Sequence, residues 1–307
     1  MMGGDFSPLE AVKGVQLYLK EFPTTAVLWL VGDENQIRPL LQEYAIPAQS
    51  VQVVHASQTI EMNEHPTRAL KEKQQSSIAI GFQLLATGKM DAFISAGNTG
   101  AMLVGALFSL KPIEGIQRPT ISTIIPKENG GTGVLLDVGL NADCKPEHLN
   151  QFAVLGSLYA EHILGIPAPR VGLLNIGEEE GKGNILTQAA YPLLKENGQI
   201  NFIGNIEGRD LLLDKADVMV CEGFTGNIIL KLAESLFGIA KGHQIESAYF
   251  DRFDFEYYGG TPLLGVTKPV IIGHGISRGK SFLNMLRLAQ KMIETDLLGK
   301  MKASFLS

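Results

Sequence analysis

Residues 95–101 read Ser-Ala-Gly-Asn-Thr-Gly-Ala and stand between the apolar run Ala92, Phe93, Ile94 and a second apolar run over residues 102–110. A short strand that enters a Gly/Asn/Thr/Ser turn and leaves it as a helix gathers free backbone N–H groups and the positive end of a helix dipole. That is an anion site in outline, although the same residues also build an ordinary strand-to-helix turn capped by Asn or Thr. Repetition favours the anion site. The pattern returns at residues 218–227 (VMVCEGFTGN), which lead into a helical pattern over 228–238. A third strand, 134–138, ends among Asp137, Gly139, Asn141 and Asp143, and a fourth, 171–174, opens into Asn175, Gly177, Glu178, Glu179, Glu180, Lys182 and Asn184. Several strand ends that open into small polar residues imply a polar crevice at the carboxyl edge of a parallel sheet.

On either side of this stretch, apolar strands at 26–31, 51–54, 121–125, 202–204 and 270–272 alternate with helical runs at 11–19, 66–86, 146–164 and 281–298. Continuous apolar strands alternating with helices predict an α/β fold, a three-layer α/β/α sandwich with a mostly parallel sheet. Strands 121–125 and 134–137 flank Asn129, Gly130 and Gly131, which predicts a hairpin and one antiparallel departure. The absence of a repeat, a low-complexity tract or a linker favours a single domain over residues 1–307, with a helical excursion at about 230–258.

With 26 Lys+Arg against 32 Asp+Glu, the chain has no global basic field and argues against a nucleic-acid partner. Cys144 and Cys221 have neither paired nor zinc-type spacing, so they fit a reducing cytosol and read as small buried hydrophobes. The sequence contains no apolar run of membrane-spanning length and no signal-peptide order at its start, so a cytoplasmic protein is expected. Attachment to a membrane surface remains open, because it needs only one amphipathic element.

Two motif look-alikes sit together in residues 270–281 (VIIGHGISRGKS). Gly275-x-Ser277-x-Gly279 has the spacing of a nucleophile elbow, but all six histidines precede Ser277, against the chain order of that hydrolase class. Gly279-Lys280-Ser281 resembles the end of a phosphate-binding loop, yet its first glycine would fall on His274; nucleotide hydrolysis is kept as the alternative reading. The pair Gly181 and Gly183 lacks the third glycine of a dinucleotide site. A chemistry without a protein nucleophile remains: phosphate attacking a thioester needs mainly positioning and stabilisation of the developing oxyanion.

Residues 95–101, 136–141 (LDVGLN), 143–149 (DCKPEHL), 174–184 (LNIGEEEGKGN), 204–210 (GNIEGRD), 222–227 (EGFTGN) and 258–266 (YGGTPLLGV) resemble, in order and over nearly the whole chain, the motifs of the PlsX family of bacterial phosphate acyltransferases. The resemblance implies a fold similar to phosphotransacetylases and isopropylmalate dehydrogenases, a homodimer, and no metal or organic cofactor. It also implies transfer of a fatty acyl group from acyl carrier protein to inorganic phosphate, giving acyl phosphate for a membrane glycerol-3-phosphate acyltransferase. Family members carry a short strand before the Met-Gly-Gly-Asp turn, which here stands almost at the start; a truncated or misassigned start that lacks this strand would cost stability and one wall of the site. The excursion is shorter than the family's helical hairpin, which weakens the expectation of membrane docking.

In this reading Ser95, Gly97, Asn98, Thr99, Gly100 and their neighbouring N–H groups hold phosphate, and Lys182 supplies charge. Asn227 and the N–H groups after Gly226 face the thioester oxygen, while Asp137 and Asn141 shape the pocket. His274 either orients an amide or protonates the leaving sulfur, with a structural role weighed equally. A basic C-terminal set, Arg278, Lys280, Arg287, Lys291, Lys300 and Lys302, suits an acidic carrier protein. Leu232, Leu236, Phe237, Ile239, Tyr249, Phe250, Phe253 and Phe255 read first as dimer core and second as a membrane foot, because neighbouring acidic residues oppose anionic lipid. A phosphate-ligand binder without turnover is the third reading.

Overall fold

Each strand expected around residues 95–101 forms, and the helices between them cross over as a parallel sheet requires. A computed structural model describes residues 1–23 and 26–306. The chain divides into two compact units: Met1–Lys111 with Phe255–Thr261 and Val266–Ile293, and Pro112–Asp254 with Pro262–Gly265 and Glu294–Ser307.

The first unit opens with α1 (Leu9–Glu21), β1 (Leu28–Gly32), α2 (Glu34–Glu43), β2 (Val51–His55), α3 (Pro66–Glu72), α4 (Ser77–Ala86), β3 (Phe93–Ser95) and α5 (Thr99–Ser109). Apolar residues three and four apart on α1 close this unit's core, where Val15, Tyr18 and Leu19 pack with Leu30 and Ile37. The helical stretch after Pro66 is two helices, because the Ser76 hydroxyl accepts the Ala79 N–H and starts α4 afresh. β1 and β2 pair in parallel from Leu28↔Val51 to Gly32↔His55.

The second unit carries β4 (Thr120–Pro126), β5 (Thr132–Leu136), α6 (Pro146–Tyr159), β6 (Arg170–Leu174), α7 (Ile185–Glu196), β7 (Asn201–Ile206), β8 (Val218–Val220), α8 (Gly223–Gly242), α9 (Ala248–Asp251) and, from Pro262 on, β9 (Thr261–Leu264). The hairpin is where the sequence puts it: β4 and β5 are antiparallel from Ser122↔Leu136 to Pro126↔Thr132, and β4 is also antiparallel to β9. The other pairings, β5 with β8, β8 with β6 and β6 with β7, are parallel. Val134, Leu135, Leu136, Val218, Met219, Val220 and Leu173 have no exposed surface, as strands covered on both faces require.

The chain then returns to the first unit with β10 (Val270–Ile272) and α10 (Gly279–Glu294), and to the second with α11 (Leu297–Leu306). β10 pairs in parallel with β3, with Ile272 opposite Ser95. The mostly parallel α/β architecture expected from the sequence is therefore present. The excursion at about 230–258 is the outer part of the 20-residue α8, followed by α9 and a single 3-10 turn, Phe255–Tyr257. Among the described residues no helix is long and apolar enough to cross a membrane.

Candidate active site

In the first unit the site grows from the pairing of β3 with β10. The Gly273 N–H donates to the Ser95 carbonyl (2.8 Å), so the turns that leave the two strands begin side by side. The buried Ser95 hydroxyl accepts the Gly97 N–H (3.1 Å) and folds the chain toward α5. Asn98 caps that helix by accepting the Ala101 N–H (2.9 Å), while its Nδ2 donates to the carbonyls of Glu61 (2.9 Å), Met62 (3.2 Å) and Glu64 (3.0 Å). The N–H groups of Asn98, Thr99 and Gly100 meet no acceptor among the described residues. Three unanswered donors at the start of an 11-residue helix make the turn a cradle of the kind that suits an anion. His274, exposed on the neighbouring turn, stacks on Phe255 with ring centroids 5.1 Å apart and accepts the Ile276 N–H at Nδ1 (3.4 Å).

The second unit interlocks Asp137, Asn141, Gly226 and Asn227. The fully buried Asp137 carboxylate accepts the N–H groups of Gly139 and Leu140 (both 3.0 Å), the Asn141 N–H (2.9 Å) and the Asn141 amide (2.5 Å). Burial raises its pKa, and those donors offset only part of the rise. Gly226 packs so tightly on this turn that a Cβ would lie 1.8 Å from the Asp137 carbonyl oxygen. Exposed Asn227 donates one amide hydrogen to the Val138 carbonyl (3.1 Å). The amide's second hydrogen is unmatched among the described residues.

Lys182 stands apart on the loop after β6. Of the three glutamates there, Glu178 is held by Lys215 (2.5 Å) and Glu180 by Lys195 (2.9 Å), which leaves Glu179 as the carboxylate beside Lys182, at 4.0 Å. Half-exposed and weakly paired, Lys182 has charge to offer a ligand. Neither thiol competes as a nucleophile: burial pushes Cys144 up to about 12 and raises Cys221 well above its ordinary value.

Residues 1–249 match the family model described as "Fatty acid synthesis protein". The chain is 44% identical over 315 residues to a phosphate acyltransferase of Dictyoglomus turgidum, covering 96% of this chain and 93% of that protein. It is 47% identical over 322 residues to the phosphate acyltransferase of Pelotomaculum thermopropionicum, covering 99% and 93%. The chain belongs to the phosphate acyltransferase family. A phosphotransacetylase from Streptococcus pyogenes shares the fold of this acyltransferase, with a TM-score of 0.69 at 17% identity over 92% of this chain and 91% of that one.

The acyltransferase departs from the sequence reading at three points. The Asn98 side chain is committed to the cap and to residues 61–64, so what position 98 offers an anion is its backbone N–H. The N–H groups after Gly226 lie inside the α8 ladder, and the Glu222 carboxylate caps that helix by accepting from Thr225; they are not free to meet a thioester oxygen. Asp137 and Asn141 act on the turn itself, since Asp137 is sealed from solvent and the Asn141 amide also donates to the Pro119 carbonyl (2.8 Å). The cap at Glu222 left no clear sequence signal, since glutamate is not a favoured N-cap residue, and the 61–64 tether left none either.

The look-alike at residues 275–281 has a different use. The first N–H of α10, on Gly279, donates to the buried Glu10 carboxylate (2.7 Å), which occupies the place a phosphate would need. The Ser277 hydroxyl is buried and unpartnered among the described residues, while His274 Nδ1 is taken by Ile276. Neither the nucleotide reading nor the hydrolase reading finds its machinery here.

Proposed function

We propose that this acyltransferase moves a fatty acyl group from the thioester of acyl carrier protein to inorganic phosphate, releasing acyl phosphate for phospholipid synthesis. The observation that carries the reading is the trio of unanswered N–H groups at Asn98, Thr99 and Gly100, in a chain whose relatives are named phosphate acyltransferases. A phosphate oxygen attacks the carbonyl carbon, the tetrahedral oxyanion collapses, and the C–S bond breaks to release thiolate. A thiol of pKa about 8.5 needs little help to leave. Two protein thiols held protonated fit a route without a protein nucleophile. His274 is the group we assign to orient the donor or protonate the sulfur. Lys182 and Asn227 keep the roles of their motifs, charge for phosphate and an amide for the thioester oxygen.

The same reading assigns the partners. The basic side chains Arg278, Lys280, Arg287 and Lys291 on α10, and Lys300 and Lys302 on α11, suit an acidic carrier protein. A second copy of the chain is the proposed cover for α8, and a membrane glycerol-3-phosphate acyltransferase consumes the product. The protein then works in the cytoplasm, beside the inner face of the membrane. The deciding experiment follows free thiol from long-chain acyl carrier protein with and without inorganic phosphate. Phosphate-dependent thiol release with acyl phosphate formed is expected. Release without phosphate would make the protein a thioesterase, and phosphate binding without release would leave a binder.

A further inference from the structure

Beside the anion cradle, within the first unit, three apolar side chains from three separate chain segments bracket Gly275. Phe6 is 40%, Met62 42% and Ile276 44% exposed, so each offers apolar surface to a ligand while its neighbours hold it in place. The Asp5 N–H donates to the Gly275 carbonyl (2.9 Å), which brings Phe6 alongside, and the Phe6 ring carries the Arg278 guanidinium 4.6 Å from its centroid. The Met62 methyl lies 2.9 Å from where a Gly275 Cβ would stand, so the thioether rests on that glycine. Ile276 follows directly. Met62 is also tied to the cradle, since the Asn98 amide donates to its carbonyl (3.2 Å), and Lys73 braces the same turn through the Thr59 carbonyl (2.7 Å) and Glu64 carboxylate (2.6 Å).

The geometry points to Phe6, Met62 and Ile276 as the subsite for the first methylenes of the acyl chain. The inference rests on the proposed function, because it takes the phosphate to lie on the N–H groups of Asn98, Thr99 and Gly100. The carbonyl carbon must then reach a phosphate oxygen, which brings the chain carbons that follow it up against groups bordering the cradle. Met62 is held to that border by the Asn98 amide, and Ile276 stands on the adjoining turn, which Gly273 ties to Ser95. Three side chains are far too small an area for a stable protein partner, whereas a flexible alkyl chain suits a flexible thioether.

The test replaces Met62→Ser and Ile276→Ser, singly and together, with Met62→Leu as the conservative control. Transfer to inorganic phosphate is measured with acetyl, hexanoyl and palmitoyl thioesters, and palmitate binding is measured by calorimetry without phosphate. Each buried methylene is worth roughly fourfold in kcat/KM. The double variant is expected to lose about tenfold or more with hexanoyl and palmitoyl donors, to lose no more than about fourfold with acetyl, which sets a single carbon against the subsite, and to weaken palmitate comparably to the long donors, while Met62→Leu keeps the chain-length dependence. Acyl phosphate formation with an equal loss at every length, or no loss, overturns the subsite and leaves the function standing. Palmitate binding that the double variant weakens, in a protein that transfers nothing, upholds the subsite and overturns the function. Failure of the folded wild type to bind palmitate or to discriminate chain length overturns the subsite.

Discussion

Asn98 has both ends of its amide committed, the oxygen to the Ala101 N–H and the nitrogen to three carbonyls of residues 61–64. Asn98→Ala removes a helix cap and releases that turn, so a loss of about 1–3 kcal/mol is expected in urea denaturation. Catalysis should fall with it, because the three free N–H groups lose their fixed direction; unchanged stability would mean that the cap is dispensable. Lys182 behaves in the opposite way. Half-exposed and 4.0 Å from Glu179, it contributes little to the fold. Lys182→Ala should leave the denaturation midpoint in place while lowering turnover by roughly a hundredfold, the size of a lost electrostatic contact to developing charge. Near-normal phosphate-dependent thiol release in that variant would remove Lys182 from the reaction. Both residues sit in Gly/Asn-rich turns of the same type, so sequence alone gave them equal standing; the hydrogen bonds separate the brace from the free charge.

At the scale of elements, the edge opposite the Asp137 turn in the second unit is closed by a charge cluster. Lys127, at the end of β4, is 2% exposed and lies 2.5 Å from Asp217 and 3.1 Å from Asp214. Arg170, opening β6, contacts Asp217 through Nε at 2.9 Å and also pairs with Asp214. Burial by itself would raise the Asp217 pKa, but hydrogen bonds from Arg170 and Lys127 reverse the shift and hold it far below the usual carboxylate range. A depressed carboxylate stabilises the fold above its unfolded value, about 4, and that stability is lost as pH falls below it. Asp217→Asn leaves Lys127 buried with only half-exposed Asp214, which should cost about 3 kcal/mol at neutral pH. It should also flatten the decline in stability below about pH 4 seen in the wild type. An unchanged acid limb in a pH series of denaturation curves would show that Asp217 does not carry it. The strands that this cluster ties were legible, because fully buried strands are unbroken apolar runs. The cluster was not, since Lys127, Arg170 and Asp217 are far apart in the chain and meet only through strand order.

At the scale of the whole molecule, sequence carried the fold class and the places of the turns, but not how each turn uses its residues. Asp137 and Asn227 announce a polar strand end; the structure makes one a sealed clasp, with Gly226 packed on its carbonyl, and the other an exposed amide. α8 poses the remaining question. Its buried residues Gly223, Gly226 and Ala240 lie on one side, while Phe224, Ile228, Leu232 and Ile239 are 63%, 54%, 64% and 53% exposed. At 100° per residue those four fall within an arc of about 80°, on the side away from the buried set. A helix that is apolar on the side it buries and on the side it exposes is one that another surface covers. A second copy is the proposed cover, and Leu232 and Ile239, seven residues apart, stand on one face of it. Sedimentation should find a dimer in the wild type, and Leu232→Glu with Ile239→Glu should yield a folded monomer, because two unpaired carboxylates cannot be buried against each other. A dimer that survives the double substitution moves the interface elsewhere. Flotation of the wild type with anionic vesicles, abolished by the same two substitutions, would give the face to lipid instead.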